Sequence, residues 1–212
     1  MKAIVATDQA AGTSGVKLVE RPEPQAAIND VVVQIHASGF TGDELTWPST
    51  WTDRVGRDRT PSIPGHELAG VVTALGYGTT GLSIGQRVFG LTDWYRDGTL
   101  AEYVAVEARN LTPLPGDVDF TVGAALVMPG LTAWQGLFEH GRLHAGQSVL
   151  VHGAAGVVGS MASQTRTWAL GSNPTLSAIY FEHNNLGAWL PRVVTTIPDS
   201  SSILSWAQRE RS

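Results

Sequence analysis

The chain has 212 residues, 42% hydrophobic and 16% charged, with a net charge of −5 and no cysteine. The missing cysteine excludes disulfides, thiolate metal sites and a cysteine nucleophile, and scattered Lys and Arg on an acidic balance leave no footprint for nucleic acid or an anionic membrane surface. No apolar run reaches the ~18 residues that a membrane helix needs, and Met1-Lys2-Ala3-Ile4-Val5-Ala6 passes straight into polar Thr7-Asp8-Gln9, which is no signal peptide, so a cytoplasmic protein is expected.

The first part of the chain reads as short strands between turns, in keeping with 24 Gly and 11 Pro. Val31 to Ile35 is apolar and β-branched, with Asn29-Asp30 before it and Ser38-Gly39 after it, which predicts a strand. Leu68 to Val72 lies between Pro64-Gly65 and Gly76-Tyr77-Gly78, and Gln86 to Gly90 follows Ser83-Ile84-Gly85; both are predicted strands. Leu100 to Val106 alternates in part, as a half-buried strand does. Several short strands punctuated by Gly and Pro predict a sandwich or a partly open barrel.

The pattern changes near residue 120. Thr121 to Met128 predicts a short helix ended by Pro129-Gly130, and Leu131, Trp134, Leu137 and Phe138 predict a second helix closing at Gly141. Ser148 to His152 reads as a buried strand, followed by a glycine turn and a helix, an α/β unit. Beyond Gln164 the signals weaken. Thr165 to Leu170 would continue the helix, Leu176 to Phe181 and Arg192 to Ile197 would be strands, and Asp199 to Arg209 would be a helix capped by Asp199 or Ser200.

Gly153-Ala154-Ala155-Gly156-Val157-Val158-Gly159 fits a dinucleotide fingerprint, with Ala154, Gly156 and Gly159 in the three glycine places. Gly156 would let the backbone approach a pyrophosphate, and Gly159 would let the helix pack closely on the strand. The helix opening at Ser160 would offer free amides to phosphate oxygens. A strand-to-helix turn in an unrelated α/β fold is the competing reading. The fingerprint also expects an acid about 20 residues on, for a ribose diol. Glu182 stands there and would favour the unphosphorylated cofactor, or stands there by chance.

Ala37-Ser38-Gly39-Phe40, Ile63 to Val72, Gly85 to Gly90, Ala101 to Val104, Gly130 to Trp134 and Val149 to Gln164, taken together, resemble the medium-chain dehydrogenase/reductase superfamily and, within it, the zinc-free quinone-oxidoreductase-like branch. The resemblance implies a GroES-like β-rich, partly open barrel over residues 1–120, followed by a partial α/β Rossmann-like domain that starts at residues 121–164. It also implies hydride transfer between NADP, with NAD still open, and a small-molecule carbonyl, enone or quinone. In the family an Ala in the fingerprint goes with the phosphorylated cofactor. That disagrees with the reading of Glu182, and the family signal is preferred because residues past Gln164 do not match it.

The resemblance further places Thr41 and His66 in the catalytic region, Thr41 as a hydrogen-bond donor to a substrate oxygen. It places Thr132 near the nicotinamide and Gly153, Ala154, Ala155, Gly156, Val157, Val158, Gly159 and Ser160 around the cofactor. Structural roles stay open for Thr41 and Thr132, and a hydrogen-bonded turn or core role for His66. Trp47, Trp51 and Trp94 would line an apolar pocket or simply pack, and His140, His144 and His152 are read as structural or surface residues. No metal is expected: Thr41 stands where zinc-dependent relatives carry a first Cys, and one His with a nearby Glu falls short of the three protein ligands of a catalytic zinc. A zinc alcohol dehydrogenase with unusual ligands is the weakest alternative.

A full doubly wound sheet takes about six strands, and only two or three are legible here. Residues 165–212 are therefore read as a divergent tail, following a truncation or a shift of reading frame after about Gln164, which the other two frames of the coding DNA would reveal. That leaves a catalytically incomplete fragment as the main alternative to an active reductase. A homodimer is compatible with the sequence, and neither nucleic acid nor membrane is expected as a partner.

Overall fold

The computed structural model describes the backbone of residues 1–144, 147–169, 176–183 and 189–194, and side chains as far as residue 164 except 145, 146 and 148. Two compact units are present, Met1–Met128 and Pro129–Ser212.

The first unit is built on strands. β1 (Lys2–Ala6) and β2 (Val16–Glu20) pair antiparallel as a ribbon. β3 (Asp30–Gly39) is followed by a 3₁₀ turn over Gly42–Thr46, the short helix α1 (Pro48–Trp51) and β4 (Glu67–Leu75). β5 (Arg87–Leu91), β6 (Tyr103–Glu107) and β7 (Leu111–Pro113) complete a second sheet of order β6-β3-β4-β5-β7. Its neighbours are all antiparallel. The two outer strands, β6 and β7, are not paired with one another, so the sheet stays open, as expected of a partly open barrel. Ala3 bridges to Ala101, so the predicted strand from Leu100 begins as a single bridge and becomes regular only at Tyr103.

β-branched residues fill the core of this sheet. Val31, Val33, Leu68, Val72, Val88, Val104 and Val106 pack together with almost no exposure, as alternate residues of paired strands must when one face is dry. At the head of β3 the buried Asp30 is held by Arg96, whose two terminal nitrogens donate to its carboxylate at 3.1 and 2.6 Å. Arg96 also pairs with Glu107 at 3.2 Å. A charge out of water is tolerated when its partner is this close and forked.

α2 (Phe120–Trp134) opens with Asp119, which accepts from the Thr121 amide at 2.8 Å. The sequence predicts a stop at Pro129, but the helix runs through it and passes into a π-helical turn over Gln135–His140. Pro129 has no N–H and its ring crowds the preceding turn. Next to it in the chain, the Met128 amide donates outside the helix, to Glu67 Oε1 at 2.8 Å.

In the second unit β8 (Ser148–Val151) leads through the glycine turn to α3 (Val157–Ala169) and then to β9 (Leu176–His183), which runs parallel to β8. β10 (Trp189–Val194) returns antiparallel to β9, starting earlier than the sequence predicts. Ala133, Leu137, Leu143, Val149 and Ala162 form the core of this unit. Glu182 lies within β9 rather than after it, and its side chain is outside the described residues, as is the predicted helix at residues 199–209. No helix among the described residues is long and apolar enough to cross a membrane.

Candidate active site

In the first unit the chemistry gathers around His66, which ends the turn ahead of β4. His66 is only 3% exposed, and its Nδ1 lies 3.1 Å from the hydroxyl of Thr92, also buried. Its Nε2 lies 3.8 Å from Glu44 Oε2. Glu44 is fully enclosed, and its carboxylate accepts from the Thr41 amide at 3.0 Å and the Gly65 amide at 2.9 Å. One carboxylate thus ties the Thr41 turn to the Gly65-His66 turn. Thr41 and Glu44 form a capping box at the head of the 3₁₀ turn, the reciprocal arrangement that Thr-Gly-Asp-Glu encodes by its spacing.

Burial sets the protonation of both groups. Desolvation pushes Glu44 up from 4.5 to about 7, against the lowering effect of its two amide partners. Desolvation, helped by the Arg59 charge, pushes His66 down from 6.5 to about 4, opposed by Asp93. Each group resists its charged form because little water reaches it.

Aromatic rings enclose His66. Trp47 lies nearly parallel to it, at 13° and 5.7 Å between centroids, and Trp94 meets it edge-on at 4.5 Å. Trp47 and Trp94 are also edge-to-face at 5.1 Å. Trp51 does not join them: it is buried, and its indole N–H donates to the Leu45 carbonyl at 2.8 Å. It packs with Ala6 and Leu45, so of the two readings left open for it the packing one holds for Trp51.

Glu67 faces a different neighbour. A β-carbon on Gly39 would fall 2.1 Å from Glu67 Oε2, so the Ser38-Gly39 pair leaves room for a carboxylate that reaches the Met128 amide. Burial raises the Glu67 carboxyl above its usual range, with the Met128 hydrogen bond opposing. Ser38 itself shares a 2.7 Å hydrogen bond with Thr99.

The residues expected to hold a cofactor lie in the second unit. Gly153 to Gly156 form an exposed turn after β8, with Gly153 at φ +74° and its carbonyl accepting from the Gly156 amide at 2.9 Å. A β-carbon on Gly159 would meet the Gly153 carbonyl oxygen at 2.2 Å, the close helix-to-strand packing that the fingerprint demands of its third glycine. The Ser160 amide makes the first helical bond, to Gly156 at 2.8 Å. The amides of Val157, Val158 and Gly159 therefore precede the helical ladder and point from the positive end of α3. Gly153, Ala154, Ala155, Gly156, Val157, Val158, Gly159 and Ser160 thus come together in one strand-to-helix turn, and the turn fits a dinucleotide phosphate. Thr132 sits half-buried in α2. Among the described residues no three His, Asp or Glu side chains converge as a metal site.

The structure also brings together Thr41 and His66, through Glu44. Sequence reasoning missed Glu44, although the Thr-x-x-Glu spacing was there to be read. It also missed Thr92, which carries no sequence signal of its own.

The alcohol dehydrogenase GroES-like domain matches residues 27–116. The quinone oxidoreductase of Rattus norvegicus is 40% identical over 139 residues, which are 65% of this chain and 40% of that protein. Among solved structures, an alcohol dehydrogenase superfamily protein from Novosphingobium aromaticivorans aligns with a TM-score of 0.72 at 30% identity, covering 84% of this chain and 52% of that one. The quinone oxidoreductase from Thermus thermophilus, solved also with NADPH, aligns with a TM-score of 0.64 at 30% identity, covering 83% and 52%. The chain thus spans well under two thirds of the length of these relatives. From its open N-terminal sheet to the glycine turn that heads α3, this chain resembles the quinone-oxidoreductase-like members of the medium-chain dehydrogenase/reductase superfamily, and over residues 27–116 it matches the alcohol dehydrogenase GroES-like domain.

Proposed function

We propose that the protein is an NADP-dependent, zinc-independent oxidoreductase acting on a small carbonyl, enone or quinone. The observation that carries the reading is the turn from β8 into α3, where Gly159 packs on the Gly153 carbonyl and leaves three amides at the helix head. NADPH is also the molecule bound in the Thermus thermophilus relative.

When bound, the nicotinamide supplies or accepts the hydride. The chain's own residues have simpler tasks. The amides of Val157, Val158 and Gly159 donate to phosphate oxygens, which the partial positive charge of α3 favours. The Thr41 hydroxyl, exposed at the head of its turn, donates to a substrate oxygen as negative charge develops there. Glu44 holds that turn through the Thr41 amide. His66 stays neutral at physiological pH, so it adds no charge to a substrate nearby.

A zinc-dependent alcohol dehydrogenase is disfavoured by the ligand chemistry, because Thr41 stands where a cysteine ligand would be needed and the chain contains no cysteine. Titration of the purified chain with NADPH, followed by tryptophan quenching and by nucleotide emission, tests the reading. Saturable binding with preference over NADH is expected; no saturable binding up to millimolar NADPH would overturn it.

A further inference from the structure

We propose that Trp94, backed by Trp47, is a specificity-determining platform on which the planar conjugated ring of a quinone stacks, so that the protein prefers planar quinones to aliphatic enones. This rests on the reductase reading for the kind of substrate, and on the Trp47–His66–Trp94 cluster for its geometry.

Trp94 is 39% exposed. A lone surface tryptophan has no particular meaning, but this one is anchored. Its ring meets His66 edge-on at 4.5 Å and Trp47 at 5.1 Å and 78°. The base beneath is closed, since both His66 and Thr92 are buried and lie 3.1 Å apart at their polar atoms. Arg59 reaches the Trp94 carbonyl at 3.5 Å and also donates to the Ser49 carbonyl, joining the Trp94 loop to α1. Trp47 is held by its amide, which donates to the Glu44 carbonyl at 3.2 Å. A ring already ordered by its neighbours loses little rotamer freedom when a ligand settles on it.

The electronic character of the platform selects the occupant. An indole face is the negative side of a ring quadrupole. A quinone ring, drained by two carbonyls, presents the complementary face, and its planarity permits offset stacking across the whole ring. A puckered aliphatic enone offers neither feature. The platform is also continuous with the candidate hydrogen-bond donor: Trp94 touches His66, His66 approaches Glu44, and Glu44 accepts from Thr41. Stacking and carbonyl recognition thus belong to one cluster of the first unit.

The test uses the full chain without cofactor. Binding of 1,4-naphthoquinone and of 2-cyclohexen-1-one is measured calorimetrically for the wild type, Trp94→Leu and Trp94→Phe, each checked for a cooperative melt. Trp94→Leu keeps apolar bulk and loses the ring, so naphthoquinone affinity should fall about 2- to 10-fold. Trp94→Phe should restore most of it, and the cyclohexenone affinity should be unmoved. Unchanged naphthoquinone affinity in Trp94→Leu, an equal loss for both ligands, or no naphthoquinone binding by the wild type overturns the proposal. NADPH titration of the same samples separates the two readings. A selective naphthoquinone loss without NADPH binding supports the platform and removes the reductase, and NADPH binding with an indifferent Trp94→Leu removes the platform alone.

Discussion

Glu44 and His66 should make stability nearly independent of pH as a pair and strongly dependent on it when either is removed. Folding raises the Glu44 carboxyl from 4.5 to about 7 and lowers the His66 ring from 6.5 to about 4. Between about pH 4.5 and 6.5 the folded pair holds one proton, on Glu44, and the unfolded pair also holds one, on the histidine. Equal proton counts in the two states mean no slope. Glu44→Gln removes the proton from the folded side only. The unfolded state then binds the extra proton, so stability rises with pH between about 4 and 6.5, by on the order of 3 kcal/mol across that window. His66→Gln does the opposite. The folded state keeps a proton that the unfolded state releases, so stability falls by a similar order as pH rises from about 4.5 to 7. Both groups are almost wholly enclosed, so solvent screening takes little from these magnitudes. Glu67 and the surface carboxylates contribute a background common to all three proteins, and the readout is the difference from wild type. Urea melts at half-unit steps from about pH 4 to 8 measure it. Slopes of the same sign in the two variants, or none in either, would refute the picture of a proton held by burial alone.

Other outcomes follow from single contacts. Gly39→Ala should destabilise by about 2 kcal/mol, because its methyl meets the Glu67 carboxylate and overpacking in a closed site costs that much. In a Glu67→Ala background most of that cost should vanish, and additivity in the double-mutant cycle would count against the contact. Arg96→Met leaves Asp30 buried without its forked partner and should cost about 3 kcal/mol in a denaturant melt, with Asp30→Asn recovering part of it. Gly159→Ala sets a methyl against a backbone carbonyl that has no side chain to yield, so NADPH affinity should drop about tenfold or more; wild-type affinity in that variant would argue against the turn as the phosphate site.

Local patterns carried much of this protein. The β-branched runs at Val31 and Leu68 became central strands because a dry sheet face needs alternate apolar side chains. The glycine spacing from Gly153 to Gly159 foretold a strand-to-helix turn because only a residue without a β-carbon can sit on the Gly153 carbonyl. The Thr41–Glu44 capping box has a legible offset along the chain, but the pair went unread until the structure showed it. Proline misled the reading: α2 runs through Pro129, whose cost is one lost donor and ring crowding and does not by itself end a helix held by its packing. Only the tertiary fold decided that Glu44 would be enclosed beside His66, that Trp51 would be packed while Trp94 stayed partly exposed, and that Arg96 would answer Asp30 across 66 positions of chain. Those pairings join residues remote in sequence, and desolvation and ion pairing act through distance in space, which no periodicity along the chain encodes.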